Sequence, residues 1–183
     1  MEETIAFQTP TFSCKQLYDL FLQNMFEPPT CESEVLRCLE HQDKLKKVYL
    51  LPFTCTKNVR LQYFQFKIIH RILPTKCYLK KINVSETDTC PFCEEKQTLM
   101  HLFVECTSVQ DFWKEFCTWW GITFSESRSL KKIEIMYGLL EQTSNDEYRN
   151  YCIIRAKYYI FGSVGRRGKP LFSELAGFLK CGV

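Results

Sequence analysis

No stretch of this 183-residue sequence approaches ~18 consecutive apolar residues, which argues against a membrane-spanning helix. The opening Met1-Glu2-Glu3-Thr4 lacks the basic start and apolar run of a secretory leader, so a soluble, intracellular chain is expected, in nucleus or cytoplasm. No repeat and no low-complexity tract is present, which argues against solenoids and disordered tails. Acid is missing from residues 46–81, which carry nine Lys/Arg and no Asp or Glu. A segment so one-sided usually marks an anionic partner.

What is present is ample core material, with 45% apolar residues and 15% aromatics. Eleven cysteines without a leader point to reduced thiols and metal ligation rather than disulfides. The net charge of +3 hides alternating blocks: −5 over residues 1–45, +9 over 46–81, −7 over 82–147 and +6 over 148–183. Such blocks either present a field to a partner or neutralise one another across the fold.

Periodicity reads as mainly α. Ser13 is a plausible N-cap for a helix reaching about Phe26, stopped by Pro28-Pro29, and a second helix covers 33–44. Lys46–Phe53, with Pro52 near its end, reads as a connector or strand. The pattern Val59, Leu61, Phe64, Phe66, Ile68, Ile69, Ile72 supports a helix over 57–73 before Pro74. Thr75 caps a short helix through Ile82, and 83–89 is a loop. Residues 98–105 form two helical turns. Ser108 and Asp111 make a capping box for a helix to Trp120, with Gly121 as its stop. Helices over about 129–141, 146–162 and 171–180 complete the chain. The expected organisation is a domain over 12–124 and a helical extension over 125–183 that is either separate or part of the same domain.

The chemistry concentrates in Cys90, Cys93, His101 and Cys106, whose spacing is C-x2-C-x7-H-x4-C. A C-x2-C turn brings two thiolates to one tetrahedral ion, and a histidine and third thiolate complete the shell. Three sulfurs and an imidazole favour zinc over calcium or magnesium. Four protein ligands leave no open position, so the expected site is one structural Zn2+ at the centre of a small helical domain. His41 and His70 have no partners at ligand spacing, and a cysteine hydrolase has no motif behind it.

The run Cys90-Pro-Phe-Cys93-Glu-Glu-Lys-Gln-Thr-Leu-Met-His101-Leu-Phe-Val-Glu-Cys106, followed by Ser108-Val-Gln-Asp-Phe-Trp113, resembles the zinc-binding domain downstream of the polymerase core in non-LTR (LINE-type) retrotransposon reverse transcriptases. The stretch Phe64-Gln-Phe-Lys-Ile-Ile-His-Arg-Ile-Leu-Pro-Thr75 is similar to the same family. The resemblance spans roughly 12–120 and is strongest over 61–113. Retroviral knuckles have a shorter C-x2-C-x4-H-x4-C loop, so the seven-residue gap discriminates. Gln97 stands where the family often has an acid. The resemblance implies a domain that holds RNA or DNA.

A polymerase core needs an Asp-Asp pair to hold its metal ions, and this chain contains none. No enzymatic activity and no small-molecule substrate are therefore expected. The candidate nucleic-acid surface is Lys57, Arg60, Lys67 and Arg71 on the helix 57–73, continued by Lys76, Lys80 and Lys81, with a second cluster of Arg166, Arg167 and Lys169. Phosphate contacts of this kind give salt-sensitive, sequence-independent affinity. Phe64, Phe66, Trp113 and Trp119 are expected in the core rather than as stacking surfaces. The alternative function is a zinc-scaffolded protein-interaction adaptor that binds no nucleic acid.

Overall fold

Ser13 opens the first helix, α1 (Cys14–Met25), through a reciprocal cap. The Gln16 N–H donates to Ser13 Oγ at 3.3 Å and the Ser13 N–H to Gln16 Oε1 at 2.9 Å. The computed structural model describes residues 13–25, 30–39, 42–126, 128–140 and 146–179. It divides into two units, Met1–Thr30 and Cys31–Val183. Of the first, α1 is the described element, with Leu17, Tyr18 and Leu20 exposed along it. The expected stop at Pro28-Pro29 lies outside the described residues.

Helix α2 runs Thr30–Leu39, all but its first residue in the second unit, and α3 runs Asp43–Cys55. The expected helix over 33–44 thus ends earlier, and the expected connector Lys46–Phe53 is helical. Pro52 reads in sequence as a helix end. It sits in the last turn of α3, forgoing one helical N–H bond, and buries its ring with Val48 and Leu51. Helix α4 spans Val59–Ile69, because the Asn58 side chain accepts the Arg60 N–H at 3.0 Å and Arg71 turns left-handed at φ 56°. The Arg71 N–H then bonds Ile68 O at 3.1 Å and the Ile72 N–H bonds Lys67 O at 3.0 Å, a Schellman end that releases the chain before Pro74.

Thr75 caps α5 (Lys76–Lys81) as expected, accepting the Tyr78 N–H at 3.2 Å. The segment 101–105 is a π-helical turn rather than α-helix. Helix α6 runs Thr107–Phe124, past Gly121, and ends at Ser125 with φ 52°. The glycine costs about 1 kcal/mol there. It is outweighed by packing of Phe124 on Trp120 at 4.7 Å and Trp119 at 6.1 Å between ring centroids. Helices α7 (Lys132–Tyr137), α8 (Asp146–Gly165) and α9 (Phe172–Leu179) follow. Among the described residues there is no strand, only an isolated bridge between Thr89 and Lys96. None of the described helices is long and apolar enough to cross a membrane.

Helix α8 is the hub, packing on α3, α4, α9 and the π turn. Cys152, Ile153, Ile154, Ala156, Lys157 and Ile160 are all buried, so little of its circumference faces water. Around it lie Leu61, Phe64 and Ile68 of α4 and Phe112, Phe116 and Trp120 of α6. Lys157 is fully buried: its Nζ donates to Gln65 Oε1 at 2.6 Å and to Met136 O at 2.8 Å, tying α8 to α4 and α7.

Candidate metal centre

The cysteine pair is positioned by a short turn closed by the Thr89–Lys96 bridge. The Cys90 N–H donates to Glu95 O at 2.7 Å, the Gln97 N–H to Asp88 O at 2.8 Å, and Glu94 adopts φ 62° where the chain reverses. Gln97, buried, fastens this turn to α5 by accepting the Lys76 N–H on its side-chain oxygen at 3.0 Å. A carboxylate would accept the same bond, so this departure from the family pattern leaves the link intact.

The second pair is set by the π turn. The Cys106 N–H bonds His101 O at 2.9 Å, a bond spanning five residues that brings both ends of His-x4-Cys together. The Thr98 hydroxyl oxygen accepts the His101 N–H at 3.0 Å and fixes where the turn begins. The Trp113 indole N–H donates to Phe103 O at 2.6 Å and anchors the turn to α6.

These two pieces meet. Cys90 Sγ and Cys93 Sγ each lie 3.7 Å from Cys106 Sγ, and Cys93 Sγ is 3.2 Å from His101 Nε2. All four donor atoms fall within 4.8 Å of one another. A tetrahedral zinc with bonds of ~2.3 Å places its sulfurs ~3.8 Å apart, so the spacing matches what one ion requires. Cys90, His101 and Cys106 are buried and Cys93 is half-buried.

The electrostatics are tuned within the set. Burial pushes the Cys93 thiol up to about 11, with the Glu95 backbone only partly offsetting it. Burial also works against the Cys106 thiolate, but the Ser108 hydroxyl and N–H, then the Cys90 and Cys93 thiols, outweigh it and hold Cys106 below its ordinary value. The Ser108 hydroxyl lies 3.0 Å from Cys106 Sγ. Ser108 is therefore not the helix cap expected from sequence. Cys106 occupies that position, and Ser108 orients a ligand from the first turn of α6. A serine two residues after a ligand looks like an ordinary cap, which is why its role was missed. The donor set fits one zinc ion held by Cys90, Cys93, His101 and Cys106.

The ten expected cations are divided by the fold. Arg71 pairs with Glu34, Lys80 with Asp88 at 3.1 Å and Lys169 with Asp111 at 3.7 Å. Lys67 lies 4.5 Å over the Tyr63 ring. Lys57, Arg60, Lys76, Lys81, Arg166 and Arg167 make no ion pair among the described residues. Lys76 and Arg167, 91 positions apart in sequence, line one groove of about 560 Å³ with Phe92 of the cysteine turn and Phe161 of α8. Arg167 reaches it through a second Schellman end, with φ 59° and Gly168 N–H bonded to Ser163 O at 2.9 Å. Phe64 and Trp113 are buried and Trp119 packs on the core as expected, whereas Phe66 is exposed. His70, without ligand partners, stacks on Phe66 at 4.0 Å and has Nδ1 3.6 Å from Cys31 Sγ.

No curated protein and no solved structure matches the chain. A family model described as zinc-binding in reverse transcriptase matches residues 12–113, a span that takes in all four donors and α1 to α5. On that match and on the convergence of its four ligands, the chain belongs to the family of zinc-binding domains in reverse transcriptase.

Proposed function

We propose that this chain is a zinc-stabilised module that binds RNA or DNA through phosphate contacts, without sequence preference. The observation that carries this reading is the groove beside the metal turn. It joins Lys76 and Arg167, from two basic clusters far apart in sequence, against Phe92. Phosphates tracking such a groove would release counterions. The zinc ion acts here as a staple. Its filled four-ligand shell has no place for a substrate or an activated water, so the role proposed is binding and not catalysis.

Salt titration tests this directly. With four phosphate contacts, affinity for single-stranded RNA or DNA should fall roughly fiftyfold between about 50 and 200 mM salt. Replacing Lys76 and Arg167 with Glu should weaken binding at low salt and flatten that slope. Absence of binding at about 50 mM salt, or a slope of zero, would overturn the reading in favour of a helical protein-interaction adaptor.

A further inference from the structure

The exposed face of α4 carries a feature that the groove does not use. Tyr63 and Phe66 lie nearly parallel, 9° between planes and 6.2 Å between centroids, with 57% and 37% exposure; His70 lies against Phe66 at 4.0 Å and Lys67 over Tyr63 at 4.5 Å, which leaves the remaining ring surfaces to water. Phe53 from the last turn of α3, with Val59 and Gln62, closes a slot of about 220 Å³ beside them. Phe53 is 59% exposed and Val59 71%. Four large apolar side chains gathered this way form a patch whose wetting is unfavourable, and such patches mark contact surfaces.

The chemistry around the slot selects the contact. At ~100° per residue, Arg60 and Lys67 lie only about 80–100° around the helix from Val59, directly alongside the aromatic row, while Leu61, Phe64, Gln65 and Ile68 face the core. Lys57 precedes the helix. Among the described residues none of these three cations has an acidic partner, and residues 46–81 contain no acid. An apolar slot with a purely positive rim suits a ligand with flat apolar faces and a negative backbone.

We propose that Tyr63 and Phe66 form a stacking platform for unpaired bases, with Arg60 and Lys67 holding the adjacent phosphates, so that the strand bound along α4 is single. This rests on the nucleic-acid reading above and specifies its substrate. Aromatic rings accept the face of any base, so no sequence preference follows. A duplex, with its bases already stacked, has nothing to place on the rings.

The test compares a labelled oligo(dT) with a duplex of equal length, both at about 100 mM salt. The wild-type chain should prefer oligo(dT). The Tyr63→Ala/Phe66→Ala variant should lose roughly tenfold or more on oligo(dT) and less than about twofold on the duplex, whereas Tyr63→Phe keeps full affinity. Both rings are exposed, so zinc content and circular dichroism should not change in either variant. If the wild-type chain binds neither probe, the nucleic-acid reading fails and the platform with it. If it binds both and the double variant loses nothing, or loses both equally, the platform alone is overturned. A wild-type dimer in sedimentation that the double variant dissolves would show the slot to be covered by a second copy, and would equally overturn it.

Discussion

At the scale of single residues, Lys157 makes the sharpest demand. Burial lowers its amine to about 7, with Cys55 pulling only weakly the other way. Unfolded, the same amine titrates near 10.5. Between these values the unfolded chain binds more protons than the folded one, so stability rises as pH increases from about 7. Below about 7 both states are protonated and the penalty is constant. Burial raises Cys55 and Cys152 to about 12, and these thiols act in the opposite sense above about 9, where the unfolded chain ionises first. Lys157 should therefore add up to about 1.4 kcal/mol per pH unit to the stability read from urea unfolding between about pH 7 and 9, and Lys157→Met should remove that part while leaving the rise due to the zinc-bound thiolates. Gly138 is the second such position. At φ 89° an added Cβ would meet Leu51 Cδ1 at 2.5 Å and Asn150 Oδ1 at 2.7 Å, while Asn150 clasps both backbone groups of Leu139. Gly138→Ala should cost about 2–3 kcal/mol in thermal or urea unfolding. Neither residue was legible in the sequence. A lysine among Ile-Ile-Arg-Ala-Lys-Tyr reads as surface, and a glycine reads as a turn, until the partner chain segments are in place. The four ligands were legible because all lie within seventeen residues, where spacing alone fixes geometry. Their supporting serine was not: Ser108→Ala should weaken zinc affinity about tenfold or more in chelator competition, with the ligands themselves unchanged.

At the scale of elements, helices fixed by local signals are legible in the sequence and those shaped by packing are not. Ser13 and Thr75 cap their helices through side-chain bonds that the sequence displays. Helix α3 runs through Pro52 and α6 through Gly121, because buried neighbours outweigh local penalties of about 3 and 1 kcal/mol. Two helices end on arginines held left-handed, Arg71 and Arg167, at positions where glycine is the easier residue. Keeping a cation at this cost is understandable at Arg167, which lines the groove. Arg167→Gly should therefore raise stability by about 0.5–1 kcal/mol while weakening nucleic-acid binding, two measurements moving in opposite directions on one variant. Gly177, inside α9 with open space around an added Cβ, serves as the control. Gly177→Ala should stabilise by a similar amount and leave binding untouched.

At the scale of the molecule, the alternating charge blocks neutralise one another only in part. Glu34–Arg71 and Asp111–Lys169 neutralise neighbouring blocks across the fold. The groove cations and the row beside Tyr63 remain free to meet an anion. Zinc holds the arrangement together, since the cysteine turn, the π turn and the start of α6 share one ion. Binding in such sites is worth roughly 10–16 kcal/mol, against about 5–15 kcal/mol for the stability of a whole domain. Chelation, or Cys106→Ser, should therefore remove one zinc per chain together with much of the helical circular dichroism. Wild-type protein that stays folded without metal would contradict the role given to the ion.

The π turn also decides which changes of length the chain can absorb. Loss of one codon between Leu102 and Glu105 would leave only four residues from His101 to the cysteine, the span of an ordinary helical turn, so the wide turn that brings these two ligands together would be lost. The polar stretch 83–87 ahead of the cysteine turn carries no ligand and is largely exposed, so an added or missing residue there moves no donor atom. Among descendants of this sequence, indels should collect in that loop and be missing from the five residues that follow Met100.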